Sequence, residues 1–360
     1  MSNAPTPHPA PSPAEPSPSD EELRRTLLAA YDAQLRGENE FADPRARVEH
    51  DGPLVRFTGV ETGYITGPRD LGVEGDALDA LIARQRDRYA ELGIETEWKT
   101  RGHDAQKDLP ERLRAAGFVP EEPETVFVGR TEDLARLEPR LPDGLRMRSA
   151  TSLTDLRGID AMNEQVWGES RPRADELHRI LTTSPENMTV LLVEPDPEAA
   201  PATTPRTTRS YAADAAPRDA APHAVAQDAA SAPHVAQNSA SAPYDAKRDA
   251  RPHVAQDAAP ATPGSASPAP TPPPTPLHAS RIEFVPGTDF AGLWGGSTLA
   301  AWRGRGLYRA TVATRARIAA ARGVRYLQVD ASADSAPILR RLGFLELTTT
   351  TPYIWTPPAG

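Results

Sequence analysis

The chain has 360 residues, with 40 basic and 50 acidic side chains, a formal net charge of −10 and no cysteine. Without thiols there is no disulfide, thiolate metal site or cysteine nucleophile, and the negative balance argues against general affinity for nucleic acid. Of the 39 prolines, 24 fall in residues 1–20 and 195–279, where large apolar side chains are too few to offset the entropy of ordering.

The first residues, MSNAPTPHPAPSPAEPSPSD, have neither a basic region nor an apolar core and do not read as a secretory signal. No apolar run approaches the ~20 residues that span a bilayer, so a cytoplasmic protein is expected.

Residues 1–20 read as a disordered proline-rich tail. A first block, 21–135, opens with a helix from Glu21 to Leu35, entered at Ser19 or Asp20. Leu54 to Thr58 is a predicted strand. Leu78, Leu81, Ile82, Gln85 and Tyr89 fall at helical spacing within 76–92. A strand (94–99), a short helix (109–116) and a last strand (125–129) follow, with Trp98 and His103 read as core or rim residues.

The second block, 136–194 and 280–360, begins with a strand at 145–148 and helices at 153–166 and 175–181. Met188 to Glu194 is a continuous apolar run and reads as a buried strand. Between the two parts lies 195–279, rich in Ala, Pro, Asp, Ser and Thr, with a loose repeat at His223, His234 and His253. Half of the eight histidines fall there, His278 included. With no other ligands nearby and no large apolar residue to stack, this segment reads as a disordered insertion and not as a metal site or solenoid. It occupies the turn between strand 188–194 and strand 281–285, where added loop length costs little. Strand 281–285 pairs as a hairpin with strand 290–298.

Next comes Trp302-Arg303-Gly304-Arg305-Gly306-Leu307-Tyr308-Arg309, between a strand and a helix. Two glycines let backbone amides turn toward one point, the helix start adds unpaired N–H groups, and two arginines add fixed charge; such a loop grips a phosphate or pyrophosphate. Leu307, Ala310, Thr314, Ile318 and Ala321 then mark one helix face, ended by Gly323. A strand (324–331), a short helix (335–342), the exit Gly343-Phe344 and a final strand (345–355) complete the chain.

Strand, glycine loop, long helix, strand, short helix ending in Leu-Gly-Phe, strand: this order resembles the GNAT superfamily of acyl-CoA-dependent acetyltransferases, over about 140 residues. The family's Arg/Gln-x-x-Gly-x-Gly/Ala pattern is met from Arg303 to Leu307, with Tyr308 where glycine or alanine is usual. The resemblance implies a mixed, twisted α/β sheet flanked by helices, and acetyl-CoA as co-substrate with no metal. It assigns the pyrophosphate to Arg303, Gly304, Arg305, Gly306, Leu307 and Tyr308, and the pantetheine arm to the strand edge at Gly296, Ser297 and Thr298. The tyrosine that many members carry as general acid, counted back from Gly343-Phe344, falls on Leu339.

Acyl transfer to an amine needs a base for the ammonium proton and a donor for the oxyanion. Asp330 and Glu283 are the candidate bases. Tyr353 or Ser332 could donate a proton, and the amide near Thr298 could serve the oxyanion. Trp167, Trp294, Glu164, Glu169 and Asp289 suggest an apolar, anionic acceptor pocket.

Leu113-Arg114-Ala115-Ala116-Gly117-Phe118 matches Leu339-Arg340-Arg341-Leu342-Gly343-Phe344 at four positions, so the first block reads as a degenerate copy in a tandem chain. Its helix entrance, Gly72-Val73-Glu74-Gly75-Asp76, carries two carboxylates that would repel a pyrophosphate. The expected function is N-acetyl transfer from acetyl-CoA to a small-molecule or protein amine. The alternative, from Leu339, is a non-catalytic acyl-CoA-binding module. Neither a nucleic acid nor a membrane is an expected partner.

Overall fold

The computed structural model describes residues 18–40, 45–60, 62–168, 170, 172–199 and 275–358. The tail up to residue 17, the histidine repeat at 223–253 and most of the expected insertion lie outside the described residues.

In the first half, helix α1 (Pro18–Leu35) precedes strands β1 (Arg47–Asp51), β2 (Leu54–Thr58) and β3 (Thr62–Thr66). Helix α2 (Gly75–Leu92) leads to β4 (Glu95–Arg101), then α3 (Leu109–Ala115), the two-residue β5 (Val119–Pro120) and β6 (Glu124–Arg130). A short α4 (Thr131–Ala135) connects to the second half. That half runs β7 (Leu145–Ser149), α5 (Leu153–Trp167), α6 (Ala174–Thr183), β8 (Met188–Pro195), β9 (His278–Phe284) and β10 (Phe290–Thr298). It closes with α7 (Leu307–Ala321), β11 (Tyr326–Ala331), α8 (Ala336–Leu342) and β12 (Leu345–Trp355).

The same local rules build both halves. In each, a strand, a long helix and a parallel strand (β3-α2-β4 and β10-α7-β11) precede a short helix ended by a left-handed glycine. Gly117 has φ 91° and Gly343 φ 95°, conformations in which a Cβ would be strained. Just beyond them Phe118 and Phe344 are buried, as are Leu113 and Leu339. The expected tandem arrangement is present.

All strands join one twelve-stranded sheet, ordered β1-β2-β3-β4-β12-β6-β11-β10-β9-β8-β7, with β5 paired to β12. The two final strands are exchanged. β12, which ends the second half, pairs with β4 of the first (Tyr353 opposite Trp98); β6, which ends the first half, pairs with β11 of the second (Val126 opposite Asp330). Each strand carries an aromatic ring into the other half's core. Phe127 joins the cluster under α7, with Val312, Ala316 and Val329, while Tyr353 and Trp355 join the cluster under α2 and α3. The arginine that follows each short-helix leucine stacks on the incoming ring. Arg114 lies 5.6 Å from the Tyr353 centroid and Arg340 5.6 Å from that of Phe127.

Helix α7 covers one face of the central sheet. Helix α1 covers the other, packing Leu27 and Tyr31 on Val126, Val128 and Phe290. Helices α5 and α6 extend that second layer over β8 and β9, with Leu156, Met162 and Leu177 against Val190, Leu192 and Ala279. The start of α5 is fixed by a capping box, Ser152 with Asp155.

Two expectations change. Strands β1 and β3 were not expected. Strand β9 starts at His278, not at residue 281, so His278 belongs to the sheet and not to an insertion.

Candidate functional site

Strands β10 and β11 are parallel neighbours over only three positions, Phe290–Gly292 against Tyr326–Gln328. Beyond them β10 shifts register between Trp294 and Ser297, and Gly295 takes φ 62°. The edge of β10 from Leu293 onward therefore has no strand partner on the β11 side, while its other edge stays paired with β9 up to Thr298 opposite His278. A gap opens toward the C-terminal ends of both strands.

The loop 299–306 closes this gap from one side. Gly304 (φ 71°) and Gly306 (φ 83°) are left-handed, and a Cβ placed on either would meet nothing within 4 Å. Both glycines thus face open space. Gly306 caps α7 without a side chain, and the first turn holds no acidic residue, so its amides and dipole end are available to an anion. The Arg303 Nε donates to the Thr298 carbonyl at 3.2 Å, and the Arg305 guanidinium lies 4.7 Å over the Trp302 ring. Both cations remain exposed on the loop.

The loop is anchored from beneath by a buried histidine. The Thr311 hydroxyl donates to the Tyr308 carbonyl (3.0 Å) and so accepts from His278 Nε2 (3.0 Å), which leaves Nδ1 to accept from Thr298 Oγ1 at 2.7 Å. Burial, with Arg315 nearby, pushes the His278 pKa down to about 3. The ring stays neutral and acts as a strut, not a base. Tyr308 packs edge-on to it, at 6.4 Å between centroids, and against Gly296, where a Cβ would lie 2.8 Å from the ring. Of the expected contact residues, Ser297 accepts from Trp167 Nε1 at 3.1 Å and Thr298 is bonded to His278. With both side chains so engaged, what these residues present to the gap is the unpaired backbone edge of β10.

The expected catalytic residues separate. Ile282 and Val329 pack toward α7, so by strand alternation Glu283 and Asp330 share the opposite face. Asp330 is buried and paired with Lys99 of β4 at 2.7 Å, with the Gln328 amide also donating to it. It is committed to a charge pair across the exchanged strands. Glu283 is part-exposed and bonded to Arg281 Nε. Tyr353 is a correction: β12 crosses to the first half, where the ring is 2% exposed in the α2–α3 cluster and is not brought to the gap. Leu339 is fully buried in the core under α7 and supplies no hydroxyl, and Ser332 Oγ lies 3.3 Å from Ser335 Oγ.

The expected acceptor pocket is corrected too. Trp294 is buried on the sheet and Trp167 reaches Ser297, but Asp289 sits at the other end of the sheet, held by Gln34 at 3.0 Å. Glu164 is exposed, and Glu169 lies outside the described residues. Trp98 is in the first-half core, and His103 ties Asp32 of α1 (2.9 Å) to Thr348 of β12 (2.8 Å). Lys99, Glu97 and Glu124, all buried, were missed. The signal for the first two was the run Glu95-Thr-Glu97-Trp-Lys99-Thr-Arg101, in which every second residue is charged. Alternation of that kind usually marks a solvated strand face, but α1 and the exchanged strands cover this one.

No protein-family profile matches the chain, and no curated protein is similar to it. Among solved structures, a GCN5-related N-acetyltransferase from Kribbella flavida is similar at a TM-score of 0.52 and 13% identity, covering 94% of this chain and 95% of that one. The chain has the GCN5-related N-acetyltransferase fold. A tandem GNAT protein from the clavulanic acid biosynthesis pathway is similar at a TM-score of 0.49 and 12% identity, over 95% of this chain and 97% of that one. A functionally unknown conserved protein from Staphylococcus epidermidis follows at 0.49 and 11% identity, over 88% and 96%. In this GNAT fold the gap and the glycine loop both belong to the second half. Among the described residues no cluster of side chains could hold a metal ion, and no helix is long and apolar enough to cross a membrane.

Proposed function

We propose that the chain is an acetyl-CoA-dependent N-acetyltransferase whose working site is the second-half gap, with an amine of a small molecule or protein as acceptor. The observation that carries this reading is the open loop. Gly304 and Gly306 present a carboxylate-free helix start to empty space, beside a β10 edge that no strand occupies.

In this reading the amides of residues 303–308 hold the pyrophosphate, with Arg303 and Arg305 adding charge, and the edge at Gly296, Ser297 and Thr298 bonds the pantetheine amides. The thioester supplies the acyl group. As the amine nitrogen bonds to the carbonyl carbon and the carbon–sulfur bond breaks, the ammonium proton must reach a carboxylate. Glu283 is the part-exposed acid on the acceptor-side face, and Asp330 acts through its Lys99 pair. A backbone amide of β10 near Thr298 serves the oxyanion. With Leu339 buried, the thiolate leaves to solvent or takes its proton from water.

Isothermal titration with acetyl-CoA tests the loop. Gly306→Asp puts a carboxylate and a Cβ at φ 83°, and the expected loss is at least roughly a hundredfold in affinity, about 2.7 kcal/mol. Equal affinity would overturn the assignment. Leu339, where an acid is wanted, favours a second reading, an acyl-CoA-binding module without turnover. Tight acetyl-CoA binding with no acetylated product across a panel of amines would select it.

A further inference from the structure

Buried cations elsewhere in the chain stand against carboxylates. At the seam between the halves Lys99 faces Asp330, in the first half Arg101 pairs with Glu40, and on β9 Arg281 pairs with Glu283. Arg315 of α7 is different. It is 1% exposed, and the charges that act on it are those of Tyr308 and of a second cation, Arg281, with no acid among them. Its Nε donates to the Thr311 carbonyl at 3.2 Å and its Nη1 to the Arg281 carbonyl at 2.9 Å, while Nη2 has no partner. Burial, with the Arg281 charge nearby, pushes the guanidinium down to about 10, so it stays charged at neutral pH. A buried cation without a counter-charge costs the fold free energy.

The side chain runs back along α7. Its bond to Thr311, four residues toward the N-terminus, sets the guanidinium about 6 Å along the axis from Leu307. Thr311, His278 and Tyr308 line the way from there to the loop: His278 Nε2 donates to Thr311, and the Tyr308 ring stands edge-on to the imidazole. His278 is neutral, so this column carries no charge of its own and the field of Arg315 crosses it with little screening. At its end lies the loop that faces open space, before a helix turn with no acidic residue. An anion seated there would be about 10 Å from the guanidinium.

We infer that Arg315 is a positioning residue for the anion loop, a fixed interior charge whose counter-charge is the phosphate bound at residues 303–308. It acts through the Thr311–His278–Tyr308 column and does not touch the ligand. The inference rests on the acetyl-CoA reading of that loop.

Ser280 supplies a variant that separates charge from structure. It is 2% exposed, its Oγ has no partner, and it shares the α7-facing side of β9 with His278 and Ile282, next to the Arg281 carbonyl that Arg315 holds. Ser280→Asp gives Arg315 an internal counter-charge, and Ser280→Asn is its uncharged match in size. Isothermal titration of the full chain with acetyl-CoA reads the effect. Arg315→Met is expected to weaken binding roughly tenfold, the influence of one charge about 10 Å away at an effective dielectric constant of about 20. Ser280→Asp should bind more weakly than Ser280→Asn by a similar factor with Arg315 still in place, yet melt no lower. Circular dichroism verifies folding, and the Ser280 pair carries the test alone if Arg315→Met does not fold. Equal affinity in Ser280→Asp and Ser280→Asn, or unchanged affinity in a folded Arg315→Met, would overturn the inference. A wild-type chain that binds no acetyl-CoA would overturn the loop reading and this inference with it. Binding that is lost in Gly306→Asp but indifferent to Arg315 and Ser280 would overturn this inference alone.

Discussion

The two halves place the same strand–helix–strand unit around a loop of left-handed glycines that face open space, yet only one helix start is free of carboxylates. In the first half, Gly72 (φ 65°) and Gly75 (φ 56°) lead into α2, but the chain's own side chains take the amides. Asp70 accepts from the Gly72 N–H at 2.9 Å, and Gln106 accepts from the Leu71 N–H at 3.1 Å while donating to Asp70 at 2.8 Å. Glu74 stands at the N-cap position, its side chain making no cap hydrogen bond, and Asp76 follows in the first turn. The diverging ends of β3 and β4 are filled as well. Arg101 donates to the Lys99 carbonyl at 2.8 Å and pairs with Glu40, and Arg36 donates to the Gly67 carbonyl at 2.8 Å and pairs with Asp104 at 2.8 Å. Backbone geometry alone therefore does not make an anion site. The two loops differ in that internal acceptors hold the Leu71 and Gly72 N–H groups and that carboxylates stand at the first-half helix start.

The largest effects should come from the strands that join the halves. Phe127→Ala and Tyr353→Ala each empty a ring from the opposite half's core, and each should cost about 3–5 kcal/mol. Because each ring links both cores, urea unfolding followed by tryptophan fluorescence and by circular dichroism should move together; separate transitions in either variant would show that the halves fold apart. Next in size is the first-half plug. Arg101→Ala takes away the cation paired with Glu40, leaving it to the Tyr64 and Thr66 hydroxyls, and should cost about 3 kcal/mol, without creating a second acetyl-CoA site. A gain of binding there would mean that the plug alone separates the two loops.

His278→Ala removes two buried hydrogen bonds beneath the open loop, an expected loss of about 1–3 kcal/mol together with weaker acetyl-CoA binding. Since the His278 pKa is about 3, the wild-type affinity should not change across pH 5–8 on its account. Titration in that range traceable to His278, by NMR of the ring, would contradict its role as a neutral strut.

The seam supplies the pH dependence. Burial raises both Glu97 and Glu124 to about 8, with Asp330 and Glu121 adding repulsion and Lys99 opposing it. Both pKa values lie above the ordinary 4.5, so the folded state holds more protons than the unfolded chain, and stability should fall as pH rises from about 5 through 8. Glu124→Gln should flatten that slope in thermal melts; an unchanged slope would place the titration elsewhere. The smallest effect is expected for Arg305→Ala, an exposed cation stacked on Trp302, worth a few-fold in acetyl-CoA affinity, about 0.5–1 kcal/mol.

Much of the fold was legible because periodicity reports burial. Leu78, Leu81, Ile82, Gln85 and Tyr89, picked out by helical spacing, are the buried face of α2, and the paired Leu…Gly-Phe exits revealed the repeat. Strand β3 escaped because its Gly63 weakens a strand signal. That glycine is needed, since a Cβ there would lie 1.9 Å from the Tyr89 ring. The exchange of β6 and β12 escaped for a different reason. Pairing partners are long-range choices, and nothing local in Leu345–Trp355 says that it adds to β4 and β6 and not to its own half. That one unseen crossing took Tyr353 away from the gap and turned a charged strand face into the buried Lys99–Asp330 seam. His278 was misplaced because composition averaged over a long segment hides one ordered residue at its border.

The stoichiometry of acetyl-CoA binding tests the contrast between the halves most directly. Isothermal titration of the full chain should give one molecule per chain, with the single site lost in Gly306→Asp and kept when the first-half loop is altered by Gly72→Asp. Two molecules per chain, or a site that survives Gly306→Asp and disappears with Gly72→Asp, would contradict the account.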